Sequence, residues 1–218
     1  MRKNYVFVIV GKFAAGKTTI AKLLEERYGL KRAVTCTTRK MREGEREGID
    51  YYYCSDYSFE EMASKGKLVA INRVPIVYDK NENSYKHKYI KRFINKVKKN
   101  SSIRYSKKYG LPIDKIDLNS NSYIVVLEPS GYYDLVNKLG KENVKVIYLN
   151  LSDKERWLRA LNREVNPDVD GIVAKHLEEK ELYDGFENIS DKIINNAGTS
   201  DNAAIEVYQY ISSLIEKQ

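Results

Sequence analysis

The fold is decided by the stretch Val6-Phe7-Val8-Ile9-Val10-Gly11-Lys12-Phe13-Ala14-Ala15-Gly16-Lys17-Thr18. Its first five residues belong to a short apolar run from Asn4 to Val10, which is typical of a buried strand. It closes with a full match to the pattern GxxxxGK[ST]. From Ala14 to Tyr28 the spacing is helical, with one apolar face formed by Ile20, Leu23 and Leu24. The stretch therefore predicts a strand, a tight glycine loop and a helix in succession.

The glycine loop has the composition of a phosphate-binding loop. Glycines let the backbone curl around a phosphate with its N–H groups pointing inward, and the following helix presents its positive dipole end. We expect Lys17 to reach the β- and γ-phosphates of ATP and the Thr18 hydroxyl to ligate Mg²⁺. A chance glycine turn is the alternative, but the preceding strand and the following helix favour phosphate binding. The residues predicted to bind ATP here are Gly11, Ala14, Ala15, Gly16, Lys17, Thr18 and Thr19.

Further along, apolar runs alternate with helical patterns. The runs from Ser122 to Leu127 and from Val144 to Leu149 are candidates for buried strands. Two helix starts are predicted by capping boxes, which are formed by Ser58 with Glu61 and by Ser152 with Glu155. The stretch from Asp201 to Ile215 predicts a final amphipathic helix. This alternation predicts an α/β domain with a mainly parallel sheet.

Composition narrows the class of protein. The 218 residues are enough for one well-buried domain, and 42% hydrophobic with 31% charged residues is ordinary for a globular chain. No apolar run approaches the roughly 20 residues that span a bilayer. Cys36 and Cys54 are too few for a disulfide framework and lack metal-ligand spacing. A reducing cytoplasmic location is therefore expected, without a membrane partner.

The net charge of +8 has three interpretations: a nucleic-acid surface, an attraction for small anions such as nucleotides, or solvated surface lysines. The chain contains no aromatic–basic RNA motif and no zinc-finger spacing, and its 18 tyrosines are scattered. These features disfavour a nucleic-acid partner.

One segment, from Lys86 to Asn121, is dense in Lys, Arg, Asn and Ser. Its first part, Lys86 to Lys99, fits a basic helix with an apolar stripe. The remainder is interrupted by Gly110-Leu111-Pro112, and it predicts a loop-rich surface insertion at about 98–120.

A second motif follows the glycine loop: Thr35-Cys-Thr-Thr-Arg39-Lys-Met-Arg42-Glu-Gly44-Glu45-Arg-Glu-Gly48-Ile-Asp50-Tyr51. It places Arg39 and Arg42 beside hydroxyl groups and a glycine-rich turn. Guanidinium groups bind dianionic phosphates through paired hydrogen bonds, so the motif fits a phosphate cage. The alternative is a solvated charged loop.

This motif resembles the phosphate-acceptor signature of the guanylate kinases. The order of motifs is similar from Tyr5 to about Ile215, most strongly up to Lys67. The resemblance implies that ATP phosphorylates GMP or dGMP. It also implies that the acceptor is bound by Thr35, Arg39, Arg42, Tyr51, Tyr85 and Glu128. Tyr85 is included because Asn83-Ser-Tyr85 is similar to the family's NYYG segment. Asn195 would lie near adenine, and the catalytic residues would be Lys17, Arg39, Arg159 and Arg163.

Three positions depart from the family's pattern. Ala70 stands where a glutamate reads the guanine edge, and Lys86 stands where a glycine follows the second tyrosine. His176 replaces an arginine of the lid's second helix. These departures do not affect the residues predicted for phosphoryl transfer, but they concern the recognition of the base. Glu128 or Asn72 is a candidate to recognise guanine instead of the missing glutamate.

The resulting prediction is a P-loop NTPase fold of the α/β class, with a three-layer parallel-sheet core at about 1–33, 120–151 and 189–218. A small monophosphate-binding lobe is expected at about 34–99 and a helical lid at about 152–188. ATP, Mg²⁺ and GMP or dGMP are the expected ligands, and the chain is expected to be a monomer or a homodimer. The alternatives are a monophosphate kinase for another base and a non-catalytic binding module.

Overall fold

The computed structural model describes residues 3–79, 84–86, 104–162, 167 and 169–215. A five-stranded sheet forms its core, with strands in the spatial order β10-β9-β1-β8-β2, and every neighbouring pair is parallel. These strands are β1 (Val6–Val10), β2 (Lys31–Arg32), β8 (Tyr123–Val126), β9 (Val144–Asn150) and β10 (Lys192–Asn195). The predicted parallel α/β core is therefore confirmed.

Helices cover both faces of this sheet. In the described part of the chain, α1 (Lys17–Tyr28) and α6 (Ser200–Ile215) pack on one face, and α3 (Pro129–Leu139) packs on the other. The other helices are α2 (Asp56–Ser64), which packs on a second sheet, α4 (Asp153–Leu161) and α5 (Val169–Leu182). Side chains of β1 alternate between two hydrophobic clusters: Phe7 and Ile9 pack with α1 and α6, whereas Val8 packs on the side of α3. Because both faces are covered, all five residues of β1 are buried, as a continuous apolar run predicts.

The helix starts agree with the sequence in part. Ser152 caps α4, and its Oγ accepts a hydrogen bond from the backbone N–H of Glu155 at 3.3 Å. The cap predicted at Ser58 is wrong, because α2 begins one turn earlier. There the Oγ of Ser55 accepts from the N–H of Ser58 at 3.1 Å. Both serines are able to cap, so the capping-box pattern alone could not choose between them.

A second five-stranded sheet carries the acceptor motif. Its order is β4-β3-β7-β5-β6, with β3 (Cys36–Thr37), β4 (Tyr52–Tyr53), β5 (Leu68–Asp79), β6 (Ser84–Lys86) and β7 (Arg104–Pro112). The central strand, β7, pairs antiparallel with β3 and with β5. The loop predicted for the basic insertion at about 98–120 is therefore wrong over Arg104–Pro112. Of the helix predicted over Lys86–Lys99, only Lys86 is described, and it ends β6.

A bulge interrupts β5 beside the core. Val69 pairs with Leu111 and Asn72 pairs with Tyr109, so Ala70 and Ile71 together oppose Gly110. Ala70 adopts a left-handed φ of 53°. It packs so closely on α3 that a Cβ added to Gly131 would lie 2.9 Å from the Cβ of Ala70. The bulge thus seats β5 against the first turn of α3.

Candidate active site

The glycine loop joins β1 to α1 at the carboxyl edge of the core sheet. Two of its positions require glycine: a Cβ at Gly11 would lie 2.7 Å from the carbonyl oxygen of Leu149, and Gly16 has a φ of 91°. Ala14 adopts a left-handed φ of 60°. The loop is therefore a tight concave turn ahead of a helix N-terminus, which is the geometry that binds phosphate.

Lys17 folds back over this loop. Its Nζ donates hydrogen bonds to the carbonyl oxygens of Gly11, at 2.6 Å, and of Lys12, at 3.0 Å. Burial lowers the pKa of Lys17 to about 8, although the charges of Glu179 and Glu128 act in the opposite direction. At neutral pH the ammonium form still dominates, so Lys17 can offer a positive charge to a phosphate.

The first cleft lies over the loop. It has a volume of about 460 Å³ and is lined by Phe13, Ala14, Gly16, Lys17, Thr18, Thr19, Arg159 and Ser200. Arg159 reaches it from α4, and its Nη2 donates to the carbonyl oxygen of Asn196 at 2.8 Å. The structure therefore brings together the loop residues and one of the two predicted arginines. Arg163 lies outside the described residues.

Asn196, rather than Asn195, contacts the loop. Asn195 is exposed, and its Oδ1 accepts from the N–H of Ala197. The side chain of Asn196 is buried, and its Nδ2 donates to the carbonyl oxygen of Ala15 at 2.8 Å. Sequence reasoning missed this residue because two asparagines are adjacent and only the register of β10 decides which one turns inward.

The second cleft lies on the opposite side of Thr18, which lines both clefts. Its volume is about 450 Å³. Of the residues predicted to bind the acceptor it contains Thr35, Arg39, Arg42 and Tyr51, and it adds Tyr109 from β7. The two clefts thus meet at the first turn of α1.

Arg39 is held in place within the second cleft. Its guanidinium forms two hydrogen bonds with the carboxylate of Glu45, at 2.8 and 3.0 Å, and lies 5.2 Å from the ring centre of Tyr51. Glu45 also accepts from the N–H of Arg42 at 2.8 Å and from the Tyr53 hydroxyl at 2.7 Å. The hydrogen bonds from Arg39 contribute most to lowering the pKa of Glu45 to about 2. Glu45 therefore fixes the direction of the Arg39 guanidinium.

Lys107 adds a further positive charge beside these arginines. Burial lowers its pKa, and the charges of Arg42 and Arg39 lower it further. The side chain of Arg42 is exposed at the rim of the cleft. The walls of the second cleft are therefore suited to an anion.

The sequence analysis did not predict a role for Tyr109, and it predicted that Tyr85 contacts the acceptor. Tyr85 lies in the outermost strand, β6, and its side chain is outside the described part of the chain. The ring of Tyr109 lies 5.9 Å from that of Tyr51, and its hydroxyl interacts with Arg39. A signal was present, because Tyr109 is followed by Gly110, whereas Tyr85 is followed by Lys86.

Glu128 ends the link between β8 and α3. Its Oε2 accepts from the Nδ2 of Asn72 at 3.2 Å, and its Oε1 accepts from the Nζ of Lys175 at 3.2 Å. Asn72 is the second residue after Ala70 and is placed here by the bulge. Ala70 itself faces Gly131 rather than a cleft.

Two further charged residues had no predicted role. Arg156 of α4 and Glu179 of α5 are buried, and both contact the backbone of Phe13. His176, which stands where an arginine was expected, lies with its ring centre 5.2 Å from that of Trp157.

The hydroxyl oxygen of Thr18 is a suitable ligand for Mg²⁺ that binds together with a nucleotide. In the described ranges no three His, Cys, Asp or Glu side chains gather as a metal cluster. Mg²⁺ beside a nucleotide needs only one or two protein oxygens, because water and phosphate oxygens complete its shell. Thr18 can supply such an oxygen.

No helix in the described part of the chain is both long enough and apolar enough to cross a bilayer.

Comparison with known proteins finds guanylate kinases among the proteins that are similar to this chain. The family model described as guanylate kinase matches residues 3–99. The chain is 30% identical to a guanylate kinase of Wolbachia pipientis wMel over 220 aligned positions, which cover 99% of this chain and 91% of the relative. A guanylate kinase of Clostridioides difficile is 43% identical over 70 residues, covering 32% of this chain and 34% of the relative.

Solved structures support the fold. The guanylate kinase of Anaplasma phagocytophilum superposes with a TM-score of 0.64 at 20% identity, covering 100% of this chain and 89% of the other. A gluconokinase of Sinorhizobium meliloti superposes with a TM-score of 0.50 at 12% identity, covering 99% and 96%. From its sequence match along nearly the whole length of the Wolbachia relative, this chain belongs to the guanylate kinase family.

Proposed function

We propose that this chain is a nucleoside monophosphate kinase that transfers the γ-phosphate of ATP to GMP or dGMP. An oxygen of the acceptor phosphate attacks the γ-phosphorus, the bond to the β-bridging oxygen breaks, and ADP leaves with GDP or dGDP as the second product. The observation that carries the proposal is the position of Thr18, which lines both clefts. A shared wall allows two phosphate groups to meet in line, and positioning is most of what phosphoryl transfer requires.

Each side chain has a role that follows from its place. We assign Lys17 and Arg159 to the triphosphate, where their charges stabilise the transferring group. Arg39, Arg42 and Tyr51 bind the acceptor phosphate, and Thr35 and Tyr109 line the same cleft beside them. The Thr18 hydroxyl would hold Mg²⁺, which would supply charge neutralisation to the transferring phosphate groups. We assign this reaction to the cytoplasm, where its nucleotide substrates are found.

The proposed division of labour follows the two sheets. The core sheet with its loop takes ATP, and the second sheet takes the monophosphate. The helices α4 and α5 form the lid, because Arg159 reaches from α4 into the first cleft and Lys175 reaches from α5 to Glu128. Closure of such a lid excludes water that would otherwise hydrolyse ATP.

A second candidate, a monophosphate kinase with another or a broader base preference, is favoured by one observation. Ala70 stands where the family's guanine-reading glutamate is expected, and its methyl group packs on Gly131. Two polar side chains lie nearby, Glu128 and Asn72, and the Nδ2 of Asn72 donates to Glu128 at 3.2 Å. A carboxylate can accept from the N1–H and N2–H groups of guanine, and the Asn72 amide can donate to O6. We therefore keep GMP and dGMP as the proposed substrates. We expect weaker discrimination between bases than a site with a second carboxylate at position 70 would provide.

The test is a panel of GMP, dGMP, IMP, AMP, CMP, UMP and dTMP with ATP and Mg²⁺, scored as kcat/KM for ADP formation. We expect GMP or dGMP to be the best substrate, with a preference below about 10⁴-fold over the other bases. Lys17→Ala serves as the inactive control and should fold normally. ADP formation with another base but with no guanine nucleotide would favour the second candidate. No turnover with any acceptor, at a rate equal to Lys17→Ala, would indicate a non-catalytic module.

A further inference from the structure

Arg156 and Glu179 bracket a single residue of the phosphate loop. Arg156 Nη1 donates to the carbonyl oxygen of Phe13 at 3.1 Å, and the Oε1 of Glu179 accepts from the N–H of Phe13 at 2.5 Å. The two side chains also bond to each other, from Nη1 to Oε2, at 3.2 Å. Arg156 and Glu179 are 3% and 1% exposed, so these bonds form away from water. Both peptide groups that flank Phe13 are therefore fixed by the two helices α4 and α5.

This contact has a direct consequence for the next N–H group. The peptide bond between Phe13 and Ala14 is trans, so the carbonyl of Phe13 and the N–H of Ala14 point in opposite directions. A carbonyl turned outward to Arg156 turns the N–H of Ala14 toward the concave side of the loop. That side carries the cleft lined by Ala14, Gly16 and Lys17.

The same contact supports an unfavourable backbone conformation. Ala14 has a φ of 60°, a region that residues with a Cβ enter at a cost unless their surroundings hold them there. Without the two bonds to Phe13, the loop can relax at Ala14 and lose its inward-pointing N–H. A loop that must be re-formed when the triphosphate arrives binds it more weakly, because part of the binding energy is consumed in ordering it.

We propose that Arg156 and Glu179 are positioning residues, which set the phosphate loop for ATP by clamping the peptide groups of Phe13. The inference rests on the proposed function, because it assigns ATP to the first cleft. Neither side chain needs to touch ATP. The clamp also joins the proposed lid to the loop, since one partner comes from α4 and the other from α5.

The experiment compares Arg156→Met, Glu179→Gln and the double variant Arg156→Met/Glu179→Leu. Each is assayed for ATP–Mg²⁺ binding by calorimetry without acceptor, and for the KM of ATP and of GMP. We expect Arg156→Met to weaken ATP binding and raise the KM of ATP at least about 10-fold, because a charge-assisted bond to the Phe13 carbonyl is lost. The KM of GMP should stay within about twofold, since neither Arg156 nor Glu179 lines the second cleft. Glu179→Gln should have an intermediate effect, because an amide oxygen can still accept from Phe13.

The double variant separates positioning from folding. Removing Arg156 leaves the buried Glu179 carboxylate without this guanidinium, and removing Glu179 leaves Arg156 with only its ion pair to Asp153. Either change destabilises the protein, whereas removing both side chains restores much of the stability. We expect the double variant to regain a melting temperature close to that of the unmodified chain while its ATP affinity stays low. The matched controls are the exposed residues Lys154→Met on α4 and Glu181→Gln on α5, which should change neither quantity.

Two results would overturn the clamp. One is a double variant that binds ATP as tightly as the unmodified chain. The other is a set of single variants in which ATP and GMP affinities fall together in proportion to stability. The proposed function fails separately: an unmodified chain that binds ATP–Mg²⁺ and phosphorylates no monophosphate refutes the reaction, while the binding measurement still decides the clamp.

Discussion

Arg39 is the residue whose surroundings most clearly define its chemistry. Its guanidinium is shared between Glu45 and the faces of Tyr51 and Tyr53, which lie 5.2 and 5.9 Å away. These contacts restrict the rotamers of the Arg39 side chain, so that less conformational entropy is lost when a phosphate binds. The side chain is thus oriented before any ligand binds.

Replacing Arg39 with Ala should act on the acceptor alone. We expect the KM of the monophosphate to rise by about 10- to 150-fold, which corresponds to the loss of one charge-assisted contact. The KM of ATP should be unchanged, since Arg39 lines only the second cleft. Steady-state kinetics with each substrate varied in turn measures both values. Arg46→Ala, an exposed arginine of the same loop, is the control, and a selective loss of ATP affinity in Arg39→Ala would show that the clefts are wrongly assigned.

Glu45 links this site to stability in acid. Its pKa is about 2 in the folded protein, against an ordinary value of 4.5. A carboxylate with a depressed pKa stabilises the fold fully above pH 4.5, and that contribution is lost as the pH falls toward 2. We expect the melting temperature to fall across this window, and Glu45→Gln to fall less steeply. Parallel curves for the two proteins, measured by circular dichroism, would contradict the assignment.

Among the secondary-structure elements, β7 changes the interpretation of the sequence most. It follows a long basic stretch, and yet it supplies the centre of the second sheet and the Tyr109 side chain. In an alternating strand, residues 107 and 109 share one face, which places Lys107 and Tyr109 together toward Arg39 and Arg42.

Tyr109→Phe tests this strand. We expect the KM of the acceptor to rise about 3- to 10-fold, because the Tyr109 hydroxyl interacts with Arg39 and its removal costs on the order of one hydrogen bond. Tyr57→Phe is the control, since Tyr57 is 79% exposed. Tyr85→Phe examines the tyrosine implied by the family resemblance. A larger effect at Tyr85 than at Tyr109 would restore the original assignment.

Local pattern predicted the elements that are stabilised locally. The strand that ends at Val10 and the helix that ends at Tyr28 follow from apolar spacing and glycine, although the helix begins at Lys17 rather than at the predicted Ala14. The cap at Ser152 follows from its capping box. By contrast, β7 and the bulge at Ala70 depend on pairing with distant strands. Nothing in Arg104–Pro112 itself indicates that Gly110 must lie beneath Phe59 and Leu68, where a Cβ would meet atoms at 3.2–3.3 Å.

For the molecule as a whole, charge is distributed unevenly along the sequence. Residues 83–113 contain ten of the 38 Lys and Arg residues and none of the 30 Asp and Glu residues. The rest of the chain therefore carries 28 basic against 30 acidic residues, close to neutral. Around the second cleft, Lys22 with Asp50 and Arg32 with Glu25 form ion pairs at 3.0 and 2.8 Å. The net charge of +8 therefore comes from one segment, and Lys107 of that segment lies beside Arg39 and Arg42 of the second cleft.

The residues of the candidate site that lie within a short sequence motif could be predicted from the sequence. Lys17, Thr18, Arg39, Arg42 and Tyr51 lie in two contiguous stretches, and the structure places them around the two adjoining clefts. Arg156, Glu179 and Asn196 contact the loop from elements more than 140 residues away in the chain. Their roles come from tertiary packing, and a short pattern cannot contain that information.

Trp157 gives these contacts an optical signature. It is the only tryptophan in the chain, it lies in α4 directly after Arg156, and its ring meets that of His176 from α5 edge-on at 5.2 Å. The fluorescence of an indole responds to the polarity of its surroundings and to nearby groups that quench its emission. Intrinsic fluorescence therefore reports on the spacing of α4 and α5 without any added label. Rapid mixing with ATP can follow that signal in real time and separate movement of the helix pair from the chemical step.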